Sequence, residues 1–210
     1  SELRGFEENL YRDGIWEEQA GDFSLEVAIG RYDDPARQAQ DSFLINFTEG
    51  GNLAVCGMVG TGKSTFLQSL IYGLILHYPP SMFQFYVLDY SSRMLLSFEN
   101  APHCGGVIID SDTDKVSKFF YMIRKIVEER KNLFRGVNYR QYLKAHKGEE
   151  TLPAIVIFVD NYSNFREKTE NRFDDDMLRL SREGVGYGIY LALSASGFGA
   201  NEIPTRLADN

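Results

Sequence analysis

The eight residues Gly57-Met58-Val59-Gly60-Thr61-Gly62-Lys63-Ser64 constrain this chain more than any other stretch, because they satisfy the phosphate-binding pattern G-x-x-x-x-G-K-[ST] without a mismatch. Each part has a chemical reason. Glycines let the backbone curl until successive N–H groups point inward at phosphate oxygens, and a following helix adds the positive end of its dipole. Lys63 is expected to reach the β- and γ-phosphates and Ser64 to ligate Mg²⁺, with Thr65 continuing the helix start. The flanks agree with the motif. Asn52 to Cys56 reads as a short buried strand entering the loop, and Lys63 to Tyr78 as a helix leaving it. A Gly-rich turn without a ligand is the competing reading, and the complete motif in a strand–loop–helix setting argues against it.

The rest of the chain reads as alternating strands and helices. Expected strands are Ser24 to Ile29, Phe43 to Phe47, Phe83 to Asp89, Val107 to Ile109, Ile155 to Asp160 and Gly188 to Ser194. A turn-rich loop is expected over Tyr32 to Gln40, and a short amphipathic piece over Met94 to Phe98. Expected helices are Lys63 to Tyr78, stopped by Pro79-Pro80, then Thr113 to Phe134, Tyr139 to His146, and one marked by Phe173, Met177 and Leu180 that ends at Gly184. Such alternation gives an α/β fold with a mainly parallel sheet covered by helices on both faces.

Within that fold a second half of the site can be placed. Apolar residues followed by Asp160 fit a Walker B strand, whose carboxylate holds the Mg²⁺ shell through water. The residue that follows is commonly a Glu that activates water, and here it is Asn161, an amide that cannot accept a proton at neutral pH. ATP binding with slow or no hydrolysis by this domain alone is therefore expected, and Asn161→Glu is expected to raise turnover. Ser194 is assigned to a strand lying between the P-loop strand and the Asp160 strand. It either senses the γ-phosphate or is an ordinary strand-end serine. Asp89 either faces the same crevice or forms a turn, and Arg182 is expected to pair with a carboxylate on its own helix.

Composition narrows the class. At 210 residues and 43% hydrophobic content, one globular domain is expected from about residue 23, with residues 1–22 as an interdomain arm. That arm carries seven acidic against two basic side chains. Cys56 and Cys104 lack metal or redox spacing, three scattered histidines argue against a structural metal, and no apolar run approaches a membrane span. Net charge of −8 argues against a dedicated duplex-DNA binder. Residues 115–147 hold ten Lys/Arg against two Glu; a solvated helix face is the plainer reading and a surface for an acidic neighbour the sharper one. A small-molecule kinase would need an Arg-rich lid, and this basic segment reads as packed helix instead.

Beyond the P-loop, four stretches carry a family resemblance: Ala28 to Pro35 with Gln38 and Gln40, Pro102 to Ile108, Arg130 to Phe134, and Gly184 to Ile189. With them the chain resembles the FtsK/SpoIIIE branch of P-loop motor ATPases. It is most similar to the second or third tandem C-terminal ATPase domain of the type VII secretion ATPases, EccC and EssC. The resemblance implies a RecA-like P-loop core, ATP with Mg²⁺, and neighbouring ATPase domains in the same chain. It further implies hexamers, WXG100-type secreted proteins as partners, and a place at the cytoplasmic side of the bacterial membrane as part of a membrane-anchored protein. A DNA translocase of the same branch is the alternative. Asn161 and Ser194-Ala195-Ser196 depart from the active pattern, since DNA-translocating relatives carry a Thr-Gln pair at the latter, and both departures bear on turnover. The trans-acting arginine of the family is not assigned to Arg206.

Overall fold

Two strands made almost wholly of apolar residues, Ala-Ile-Val-Ile-Phe-Val-Asp and Ile-Tyr-Leu-Ala-Leu-Ser-Ala, can only be stable where both sheet faces are covered. The computed structural model, which describes residues 23–34, 39–146, 152–199 and 202–208, places them at the centre of a five-stranded sheet. The strands in chain order are β1 (Glu26–Asp34), β2 (Ala39–Asn46), β3 (Leu53–Cys56), β4 (Phe83–Asp89), β5 (Cys104–Ile109), β6 (Ala154–Asp160) and β7 (Ile189–Ala195). The sheet runs β3-β7-β6-β4-β5 with every neighbouring pair parallel. β7 therefore lies between the P-loop strand and the Asp160 strand, as the sequence reading requires.

Helices cover both faces. They are α1 (Phe47–Gly50, a single turn), α2 (Lys63–His77), α3 (Thr113–Phe134), α4 (Tyr139–Ala145), α5 (Tyr162–Lys168), α6 (Asp174–Glu183) and α7 (Thr205–Ala208). Because side chains alternate along a strand, β6 divides its residues between two cores. Ile155, Ile157 and Val159 join α3, α5 and α6, while Val156 and Phe158 join α2 and α4. In the first core Phe120 stacks on Phe173 with ring centroids 4.4 Å apart and lies 6.1 Å from Phe165, tying α3 to α5 and α6. Full burial of each such side chain stabilises the fold by about 1.5–3 kcal/mol relative to exposure.

α2 is apolar around most of its circumference because it is covered twice. Leu67, Leu70, Ile71 and Leu74 are buried, with the sheet on one side and the antiparallel β1–β2 hairpin on the other. The contact is close: a Cβ added at Gly73 would come within 2.6 Å of Val27 Cγ2. Tyr78, just past the helix, locks the hairpin by donating from its hydroxyl toward Ser24 O at 2.6 Å and accepting from the Glu26 amide at 2.9 Å. At the opposite end of β6 and β7 the buried Arg130 guanidinium donates to the carbonyls of Tyr187 at 2.6 Å and Pro153 at 2.7 Å.

The structure corrects four readings. Tyr32 to Gln40 is not a long loop, since the two strands of the hairpin extend through Asp34 and resume at Ala39. β3 is not a buried strand: it is an edge of the five-stranded sheet among the described residues, with Ala54 and Cys56 exposed and only Leu53 and Val55 packed. α5 went unread although α4 is equally short, because its N-cap, Asn161, reads in sequence as the position after Asp160 rather than as a helix start. Arg182 makes no ion pair among the described residues; Arg179 does, with Glu183 at 3.2 Å and Glu128 at 2.6 Å. The expected arm, residues 1–22, lies outside the described residues, as do Pro35 and Gln38.

Candidate nucleotide-binding site

The site forms where the carboxyl ends of β3, β7 and β6 meet, the usual location of ligands in an open parallel sheet. The parallel ladder continues one step past β3, with Gly57 N donating to Ala195 O at 3.2 Å, before the loop turns away. Gly60 at φ 83° and Gly62 at φ 90° supply left-handed backbone that a side chain would strain. Gly62 is the N-cap of α2, so the loop opens directly onto the helix start. Among the described residues the amides of Gly60, Gly62, Lys63, Ser64 and Thr65 carry no backbone partner, which leaves a row of donors for an anion.

Lys63 spans this curl. Its ammonium donates to Gly57 O at 2.6 Å and Met58 O at 2.9 Å, and one of its three protons is left for a phosphate oxygen. Thr61 closes the turn from inside, with its hydroxyl donating to Met58 O at 2.8 Å. The loop is thus braced by its own lysine. Met58 and Val59 stand at the rim, 78% and 94% exposed, and contribute backbone rather than side chain. Ser64, the second residue of α2, is half-buried and Thr65 is exposed one residue on.

Opposite the loop, Asp160 ends β6 at 1% exposure. Its Oδ1 accepts from the Ser194 hydroxyl at 2.5 Å, whereas Oδ2 is buried with no partner. A buried carboxylate oxygen without a donor is costly. Water molecules in a Mg²⁺ shell would supply that donor, so the residues present fit the ion that the sequence implies. Mg²⁺, when bound, would neutralise charge on the triphosphate. Ser64 and Asp160 are the groups that would hold it.

Ser194, fully buried, does more than end a strand. Besides donating to Asp160, its oxygen accepts from Asn161 N at 2.8 Å, so the Asp160–Asn161 corner is fixed by β7. Asn161 turns through left-handed backbone at φ 65° and its Oδ1 accepts from Asn164 N at 3.3 Å, capping α5. The amide at the degenerate position is therefore directed along its own helix. Asp89 reaches the same sheet edge, in register with Asp160, but its two oxygens accept from the amides of Ser91, Arg93 and Leu95 at 3.0–3.2 Å. It is a turn-forming residue. Glu202, which sequence reasoning missed, also reaches this edge: Oε2 accepts from Ser196 N at 3.1 Å and from the Ser163 hydroxyl. No motif marks it, because only the fold brings residue 202 back to the end of β7.

Comparison with known proteins bears on the family and the fold. The chain matches the FtsK/SpoIIIE family over residues 15–209. It is 28% identical over 201 residues to the type VII secretion system protein EssC of Staphylococcus aureus strain MRSA252, covering 90% of this chain and 13% of that protein. Among solved structures it is similar to EssC ATPases 2 and 3 from Geobacillus thermodenitrificans, with a TM-score of 0.79 and 25% identity over 90% of this chain and 36% of that one. It is likewise similar to Thermomonospora curvata EccC ATPases 2 and 3 in complex with a signal sequence peptide, with a TM-score of 0.74 and 30% identity over 82% of this chain and 32% of that one. The chain thus spans about an eighth of the curated relative's length. A P-loop cradle at one edge of a five-stranded parallel sheet, matched along nearly its whole length, makes this chain a member of the FtsK/SpoIIIE family.

Proposed function

We propose that this domain, residues 23–210, is an ATP-binding module of a type VII protein-secretion motor, with residues 1–22 joining it to a preceding domain. ATP with Mg²⁺ occupies the Lys63 cradle and sets how neighbouring ATPase domains of the same chain pack, and that packing governs docking of WXG100-type secreted proteins. The full protein is a hexamer anchored to the bacterial membrane, with this module on the cytoplasmic side; among the described residues no helix is long and apolar enough to cross a membrane. Hydrolysis by the isolated domain is slow, because Asn161 cannot take a proton and its side chain caps α5. Ser194 senses the γ-phosphate through its bond to Asp160.

The observation that carries this reading is the pairing of an open amide row under Lys63 with the unpartnered Asp160 Oδ2 across the crevice. Calorimetry with MgATP tests it. Wild-type chain should bind, and Lys63→Ala should weaken binding by about ten- to a hundredfold, the loss of one charge-assisted hydrogen bond to phosphate. Retained affinity would place the phosphates elsewhere. The same titration with duplex DNA addresses the translocase alternative, which requires binding that falls steeply with salt.

A further inference from the structure

If Asn161 faces its own helix, any water attacking the γ-phosphate needs a different carboxylate, and one is held at the same edge. Glu202 lies beyond β7, on the segment that returns through the Phe198–Ile203 bridge. Its Oε2 is fixed by two donors that belong to the two walls of the crevice. Ser196 N comes two residues after Ser194 on the β7 side, and the Ser163 hydroxyl comes two residues after Asn161 on the α5 side. The carbonyl just before Ser196, that of Ala195, accepts from Gly57 N, so this anchor point abuts the first residue of the phosphate loop.

We infer that Glu202 is the carboxylate that orients and deprotonates the attacking water in this site, in place of the residue at 161. The inference rests on the proposed ATP site. A carboxylate is acceptor-only, and with Oε2 occupied by two donors, Oε1 has no partner among the described residues and is available to a water O–H. In the step, the water oxygen bonds to the γ-phosphorus while one water proton passes to Glu202. The bond from the γ-phosphorus to the bridging oxygen breaks, and ADP leaves with the electron pair. Partial desolvation and Glu202 both push the thiol of Cys56, the residue before Gly57, up, and Lys63 pulls it down. One thiol thus feels both the phosphate-binding lysine and Glu202.

The competing role for Glu202 is a staple that only holds the loop after β7 against α5, and the test separates the two. The chain, in molar excess over γ-labelled ATP with Mg²⁺, is followed for hours by release of labelled phosphate, so that one slow turnover is measurable. Wild type should release phosphate above the buffer rate. Glu202→Gln, which keeps the shape but cannot take a proton, should slow release at least thirtyfold while ATP affinity and melting temperature stay within threefold and two degrees. Glu202→Asp should recover part of the rate, and Ser163→Ala, which frees one of the two tethers, should cost less than Glu202→Gln. Release by Glu202→Gln at the wild-type rate overturns the inference. So does a loss of rate that merely follows a loss of affinity or of folding. Wild type that binds ATP but releases no phosphate overturns the role of Glu202 alone, whereas wild type that fails to bind ATP overturns the proposed function with it.

Discussion

Asn161 answers two constraints at one position. The chain must turn from β6 into α5 through left-handed backbone, which Asn tolerates better than other side chains, and the new helix needs a cap, which the Asn oxygen supplies. Glu at 161 meets neither need. Asn161→Glu should lower unfolding free energy by about 1–2 kcal/mol, read from the urea midpoint at constant m-value. Any gain in ATPase activity from this substitution therefore has to be measured per folded molecule. A variant as stable as wild type would mean that the backbone relaxes out of the left-handed region. Ser194 is legible in the sequence either as a γ-phosphate sensor or as a polar strand end. That its oxygen serves Asp160 and the Asn161 amide at once follows from the parallel pairing of β6 with β7, which no local pattern encodes.

The β4–β5 edge is joined to the end of α2 by a single imidazole. His103 precedes β5, is buried, and donates from Nε2 to Tyr78 O at 2.7 Å, a bond that requires the proton on that nitrogen. Burial pushes its pKa down, and the bond to the Tyr78 carbonyl offsets part of that effect. The sign follows from proton counts. With its pKa depressed in the folded state, His103 is neutral there while the unfolded chain still takes up a proton, so unfolding is favoured as pH falls. The stability it confers is complete above about pH 6.5 and is lost progressively below it. Urea unfolding between pH 7 and 5 should show a slope that His103→Gln flattens; identical slopes would remove His103 from the account. The basic stretch 115–147 resolves at this scale too. Arg124 pairs with Asp176 at 2.7 Å, Arg140 with Glu49 at 2.8 Å and Lys115 with Asp112 at 3.0 Å, while Arg130 is buried. These exposed pairs are worth little to stability, and Lys118, Lys125, Lys131, Arg135 and Lys144 make no ion pair among the described residues, so the segment keeps a basic excess.

For the molecule as a whole, the nucleotide is a ligand of the folded state only, because its donors come from β3, α2, β6 and β7 together. At a hundred times its dissociation constant it should stabilise the fold by about 2.7 kcal/mol. For a domain of this size that corresponds to a rise in melting temperature of about 5–10 °C, measurable by calorimetric scan. Chelating Mg²⁺ should remove a large part of the rise if Asp160 Oδ2 serves the ion's shell. A rise that is indifferent to Mg²⁺ would assign that oxygen a different partner.

The sequence by itself determined the motif, the class of fold and the family, because each is written in contiguous residues. Glycine spacing forces the loop, apolar runs ending in Asp160 force central strands, and helical periodicity forces α3 and α6. Local pattern failed where contacts are long-range. Burial of β3 depends on what lies beside it, and an edge position leaves Ala54 and Cys56 exposed despite an apolar sequence. Asp89 and Asp160 end adjacent strands alike, yet Asp89 takes its amide partners from the turn directly after it, whereas the pairing of β6 with β7 gives Asp160 one partner in Ser194 and leaves its other oxygen buried and unsatisfied. Glu202 came to that edge through chain return alone, since a carboxylate 42 residues after Asp160 has no local signature of what it will face.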